Sequence, residues 1–361
     1  MYIQLILQGV RVKNYLLTKA LLPTGWANNV QITVDDAGYI THIVPDSALH
    51  HEGHDVDSIN GFVIPAMTNL HSHAFQRVMA GFAEVAGDPQ DSFWTWREQM
   101  YRMVGVLTPD QVEAVATYLY IDMLKGGYTQ VGEFRYLHHY PLGQPYPDDE
   151  MLQALMNAAS NVGIGQTMLP VLSRYSGFGS QPAQLGQRRF IQSVEQYLQQ
   201  LQNLKLRVES EPLLNYGLCF HSLRAVSEED IKQVLAAADK TVPIHIHIAE
   251  QLKEVNDCVA WSGQRPVEWL LDHIGIDHRW CLVHATHMDQ NELTTAAQHG
   301  ATIGICPSTE ANLGDGIFDA DVYIQQAGSW AIGSDSHVSL SAVEELRWLE
   351  YGQRLRDQKR N

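Results

Sequence analysis

Beyond residue 60 the chain repeats one rhythm: a short apolar run, then a stretch with helical spacing. The runs are VIPAMTNL, TQVGEF, GIGQTMLPVL, a segment within 208–220, VPIHIHIA, CLVHATHM, ATIGICP and WAIGSDS. A strand that is apolar on both faces needs cover on both, and parallel strands joined by helices supply it. Eight such units predict a closed α/β barrel of the (β/α)8 type, with its active site at the C-terminal strand ends. The beginning of the chain differs. QLILQGVRV and VQITVDDAGYITHIV alternate polar and apolar positions between Gly, Asn and Asp turn signals. Residues 1–64 are therefore expected to form the N-terminal part of a small β domain, and 65–361 the barrel.

Helix punctuation agrees with this division. In TPDQVEAVATYLYIDMLKGG, Thr108 suits the N-cap, Pro109 the first turn and Gly126 the C-terminal end. Ser227 with Asp230 makes a second capping signal. HHYPLGQPYPDD reads as a loop, and SLSAVEELRWLEYGQRLRDQKRN as one amphipathic helix.

Composition narrows the partners. The 361 residues are 45% hydrophobic, enough for one large core, and carry 41 acidic against 24 basic side chains, a formal net charge of −17. That charge opposes nucleic acid and anionic membrane surfaces, so an anionic ligand needs arginines of its own. Cys219, Cys258, Cys281 and Cys306 are widely spaced, which predicts reduced thiols in a cytoplasmic protein. The N-terminus has no signal-peptide pattern and no run is long enough to span a bilayer.

The chemistry sits where strands are expected to end. His71 and His73 in NLHSHAF are one residue apart, so on a strand both point to the same face. His247 lies in HIHIAE, His284 in LVHATH and Asp335 in GSDSH. Alone, each has a plain reading: polar residues facing a cavity, a hydrogen-bonded core histidine, a helix-capping aspartate. Together, at four strand ends of one barrel, they are the donors that a hydrolytic divalent cation needs, with a position left for water. His247 is nearer the strand end than His245, and Glu250 follows it at the barrel mouth. His245 is expected one layer below.

These residues resemble the amidohydrolase superfamily, above all its deaminase branch, in which HxH, HxAE, a strand-six His and a strand-eight Asp recur. NLHSHAFQRVMAG, DSFWTWREQMY, GEFRYLHH, HSLRAV, CPSTEANLGDGIF and GSDSHVSLSAVEELRWLEYGQRLRD narrow the likeness to the formimidoylglutamate deiminase family of histidine degradation. The resemblance implies one divalent metal ion, Zn²⁺, on His71, His73, His247 and Asp335, although the same donors accept Fe²⁺ or Mn²⁺. It implies Glu250 as the acid/base, His284 and Asp335 as its catalytic companions, and Gln76, Arg97, Tyr136, His221 and Arg224 as contacts to N-formimino-L-glutamate. It further implies a homodimer. Relatives run on past the strand-eight helix, so the small β domain is expected to be incomplete, with exposed strand edges. Two rival readings remain: a deaminase or chlorohydrolase acting on a nucleobase or triazine-like ring, and a non-catalytic metal-binding module.

Overall fold

A computed structural model of the chain describes residues 12–47, 56–82 and 93–360. All but the last residue of QLILQGVRV lies outside the described residues. The chain divides into two compact units, Met1–Ala66 and Met67–Asn361.

In the first unit, strand Lys13–Leu22 pairs antiparallel with Gly25–Val34 and parallel with Val56–Val63, and Ile40–Val44 adds to the far side of Gly25–Val34. The turn signals of VQITVDDAGYITHIV fall where expected, between two strands. Leu17, Ala20 and Val30 form its small buried cluster. Ile40–Val44 is exposed along its whole length.

The second unit is built on Met67–Ser72, Tyr128–Arg135, Gly165–Leu172, Leu218–Phe220, Ile244–Ile248, Trp280–His284, Thr302–Ile305 and Ser329–Ile332. These eight strands lie side by side in chain order, every neighbouring pair parallel. A parallel bridge between Ser72 and Asp335 brings the first strand against the end of the last. The apolar runs are buried as their composition demands: every residue of Ile244–Ile248 and Trp280–His284 is buried.

One run divides in two. Within 208–220 the chain forms Leu214–Tyr216, which pairs with the start of the third barrel strand, and Leu218–Phe220, which joins the barrel. Gly217 lies between them, and a Cβ there would meet the Pro243 carbonyl oxygen at 2.7 Å. Only a glycine lets the backbone pass so close.

The helix Pro109–Lys125 starts with a capping box, Thr108 Oγ1 accepting from the Gln111 amide and Gln111 Oε1 from that of Thr108. Gly126 ends it in a right-handed conformation, and the left-handed step falls on Gly127 (φ 96°). Gly126 is required for another reason: a Cβ would meet the Leu340 carbonyl oxygen at 1.8 Å. Ser227 and Asp230 cap Glu228–Ala237 reciprocally. Ser341, not Asp335, caps the last helix, Ala342–Asp357. The four cysteines are free and buried. No helix among the described residues is long and apolar enough to cross a membrane.

Candidate active site

The first and last barrel strands are locked together by buried polar groups. Asn69 donates to Ser334 Oγ (2.7 Å) and accepts from the Ser334 amide (2.9 Å). The Asp335 amide donates to the His71 carbonyl at 3.0 Å, and the His73 amide to the Asp335 carbonyl at 3.3 Å. Gly333 permits this approach, since its Cβ would stand 2.8 Å from that of His71. From the second strand, the buried Glu133 carboxylate accepts from Ser72 Oγ, the Ala74 amide and Tyr120 Oη. The HSH segment is thus fixed from both sides.

Onto this seam the structure brings four of the expected side chains. His71 Nε2 lies 3.1 Å from His73 Nε2 and 3.0 Å from His247 Nε2, and Asp335 Oδ1 lies 3.5 and 3.3 Å from the first two. His73 Nδ1 donates to the Phe134 carbonyl at 2.8 Å, which leaves its Nε2 as a bare lone pair. Burial keeps these imidazoles neutral: it lowers His71 to about 3, lowers His73, and with the neighbouring histidines lowers His247 well below its usual value. Burial works against the Asp335 carboxylate, yet the imidazoles around it, His71 first through a hydrogen bond, hold it well below the normal range. Crowded neutral nitrogens beside an ionised carboxylate are the donor set of a divalent cation of borderline softness. His245 is also buried, and burial lowers it to about 4, but it joins none of the metal-type clusters among the described residues.

Beside the cluster stand Glu250 and His284. His284 Nε2 is 3.8 Å from Glu250 Oε1 and 3.8 Å from Asp335 Oδ2. Burial pushes Glu250 up to about 7, so the carboxyl titrates close to neutral pH and can both hold and release a proton there. Burial alone would lower His284, but Glu250, Glu310 and Asp335 outweigh it and raise the imidazole to about 10. The backbone here is unusual. Ala249, His284, Ala285 and Asp335 all have positive φ, between 44° and 66°. Such non-glycine residues cost about 1–3 kcal/mol each and gather where a site needs its side chains aimed off the pleat.

The remaining candidates line one pocket with Glu250, His284 and Asp335. Gln76 Nε2 donates to Tyr136 Oη at 2.8 Å, while Gln76 Oε1 is buried without a hydrogen-bond partner. Burial raises the Tyr136 phenol well above its ordinary value, so it stays a donor. Arg97 lies over the Tyr101 ring at 5.6 Å. His221 sits between Tyr136 and His247, with ring centroids at 5.6 and 5.2 Å. Arg224 Nε is 4.0 Å from Glu254 Oε1. All five line the pocket, so two guanidinium groups and three uncharged polar side chains share it with the carboxyl groups of Glu250 and Asp335.

The model of the amidohydrolase family matches residues 62–360. This chain belongs to that family. The formimidoylglutamate deiminase of Pseudomonas aeruginosa is 57% identical over 344 residues, 95% of this chain and 75% of that protein. A crystal structure of an amidohydrolase from Brucella melitensis superposes with a TM-score of 0.91 at 46% identity, covering 96% of this chain and 77% of that one. An adenosine deaminase from Xanthomonas campestris, solved with bound zinc, shares the fold alone, with a TM-score of 0.74 at 19% identity over 96% of this chain and 74% of its own. The chain is accordingly a hydrolytic deiminase of the amidohydrolase family, whose members depend on a metal ion.

Several residues that build this amidohydrolase site stand inside the quoted motifs, but nothing in the sequence shows what they do there. Asn69, Glu133, Gly333 and Ser334 act through contacts between distant strands. Glu254 does have a local hint. It follows Glu250 by four residues, the separation of one helical turn, and its Oε2 accepts from the Glu250 amide at 3.2 Å. The same carboxylate faces Arg224, so it braces the acid's backbone and the arginine together.

Proposed function

We propose that this amidohydrolase converts N-formimino-L-glutamate and water into N-formyl-L-glutamate and ammonia, with a zinc ion held by His71, His73, His247 and Asp335. The observation that carries the reading is that Arg97 and Arg224 line the same pocket as Glu250 and Asp335. A substrate that is a cationic amidine at one end and a dicarboxylate at the other matches that polarity in an otherwise acidic protein. The 57% identity to a formimidoylglutamate deiminase supports the same substrate, and the nitrogen and oxygen donors support zinc.

When bound, the metal ion supplies a Lewis acid that lowers the pKa of water toward neutrality. The protein's own groups do the rest. Asp335 takes the proton of the attacking water on Oδ2, the oxygen nearest His284. Glu250 protonates the departing nitrogen, which leaves as ammonia when the tetrahedral carbon collapses to the formyl group. His284, positively charged, donates from Nε2 toward the charge that develops on that carbon's substituents. The guanidinium groups of Arg97 and Arg224 hold the two carboxylates by charge-assisted bonds. Tyr136 donates from its phenol, Gln76 Oε1 receives a substrate N–H, and His221 packs between them and the reacting end.

A nucleobase or triazine ring brings no carboxylate and so forgoes the charge-assisted bonds that Arg97 and Arg224 offer a dicarboxylate. The deciding measurement is ammonia release from formiminoglutamate, guanine, cytosine and adenosine by the zinc-loaded protein. Turnover of formiminoglutamate alone is expected. Release from a nucleobase with none from formiminoglutamate would overturn the assignment.

A further inference from the structure

Just past the seventh barrel strand, in the first turn of the helix Pro307–Leu313, stands a carboxylate that the reaction as described does not use. Glu310 is 4% exposed. Its Oε1 accepts from His284 Nδ1 at 3.2 Å and from the Cys306 amide at 2.8 Å. The Glu310 amide in turn donates to the Cys306 carbonyl at 2.9 Å, and the Asp315 amide to the Glu310 carbonyl at 2.9 Å. The carboxylate is therefore anchored by main chain on both sides before it meets the imidazole.

We propose that Glu310 is the positioning residue for His284. Glu310 Oε1, already accepting from the Cys306 amide, also accepts from the ring nitrogen that faces it. That fixes Nδ1 as Glu310's partner and turns Nε2 toward Glu250 and Asp335, each 3.8 Å away. The clamp is needed because the strand no longer aims this side chain. His284 has φ 66°, and the next residue, Ala285, has φ 51°, so the pleat that sets side-chain direction ends just here. Ring contacts add to this hold: His284 stacks on His247, at 5.5 Å between centroids and 22° between planes, and meets His71 edge-on at 6.0 Å and 76°.

His284, Cys306 and Glu310 also form a trio of metal-type donors. Their arrangement is that of a clamp instead. Glu310 Oε1 is occupied by two N–H groups, Cys306 contributes its backbone amide, and burial keeps the Cys306 thiol protonated.

The inference rests on the proposed role of His284, and the experiment separates the two. E310A, the milder E310Q, H284N and the double variants with H284N are compared by kcat and KM on formiminoglutamate, by zinc content and by melting temperature. Partners that orient metal-ligating histidines are worth roughly 10- to 100-fold, and the same factor is expected for His284, which acts beside the ligands. E310A is expected to lower kcat by that factor with KM and zinc content unchanged, and E310Q, which keeps an acceptor oxygen and the volume, to recover most of it. In the H284N background neither change should lower kcat further. Equal losses with and without His284, a normal kcat in E310A, or lost zinc would each overturn the proposal. If E310A does not fold, the imidazole spectrum of E310Q decides. A readout independent of turnover is the ¹⁵N imidazole spectrum, with His284 identified by its absence in H284N. Nδ1 is expected protonated in the parent protein and shifted in E310Q. An unmoved Nδ1 signal sinks the clamp even if formiminoglutamate proves the wrong substrate. Zero ammonia from the parent protein, with the signal moved, sinks the substrate reading and leaves the clamp standing.

Discussion

The two ends of the pocket are built by different means. At the barrel seam, His71, His73 and Asp335 are held by backbone hydrogen bonds between the first and last strands, by the Asn69–Ser334 pair and by the buried Glu133. In the same pocket, Arg97 and Arg224 come from a helix and a loop; Arg97 lies over the Tyr101 ring and Arg224 faces the Glu254 carboxylate. A group that must share one cation with others tolerates little displacement, whereas a guanidinium gripping a flexible dicarboxylate adapts through its own torsions. The proposed function thus puts reaction type in the strand ends and substrate choice in side chains that loops and helices deliver.

Substitutions at the two ends should fail differently. The largest effect belongs to the reacting end: Glu250→Gln should keep its zinc by elemental analysis and lose about 10²- to 10⁴-fold in kcat. Near-normal turnover would remove Glu250 from proton transfer. At the arginine end, Arg224→Met should lose bonds to a charged ligand worth about 1.5–3 kcal/mol, read as a roughly 10- to 150-fold fall in kcat/KM. An unchanged kcat/KM would take Arg224 out of the carboxylate clamp.

The rigidity of the seam is tested without touching any functional side chain. Gly333→Ala places a methyl 2.8 Å from His71 Cβ, and overpacking of this kind costs about 1–3 kcal/mol of stability in urea unfolding, together with weakened zinc retention. Full stability and full zinc occupancy would mean that the seam yields more than its contacts suggest. The smallest effect is expected at Tyr136→Phe, which removes one hydroxyl that Gln76 also uses. A rise in KM equivalent to about 0.5–1.5 kcal/mol should follow, with kcat little changed. A fall confined to kcat would move Tyr136 from holding the substrate to the reacting end.

Local pattern was enough to expose the barrel. Alternating apolar runs and helical stretches marked all eight strands, because a strand buried on both faces has few alternatives once helices flank it. Thr108 and Ser227 marked their helix starts because an N-cap is a contact within four residues. The candidate metal donors stood out for a related reason: imidazoles and carboxylates at the ends of apolar strands are costly unless something there uses them, whereas Gln76, Arg97, Tyr136, His221 and Arg224 were expected only from the family resemblance.

What the sequence could not contain was distance between segments that meet only on folding. The split at Gly217 depends on a carbonyl from Pro243, the need for Gly126 on one from Leu340, and the need for Gly333 on His71. His245 and His247 share a strand face and a chemistry. Burial is common to both, and only closure of the ring puts the second within 3.0 Å of His71 Nε2. Composition and periodicity are short-range properties, so they determined the elements and the kinds of donor. Register, seam and side-chain aim are long-range ones, decided where the last barrel strand meets the first.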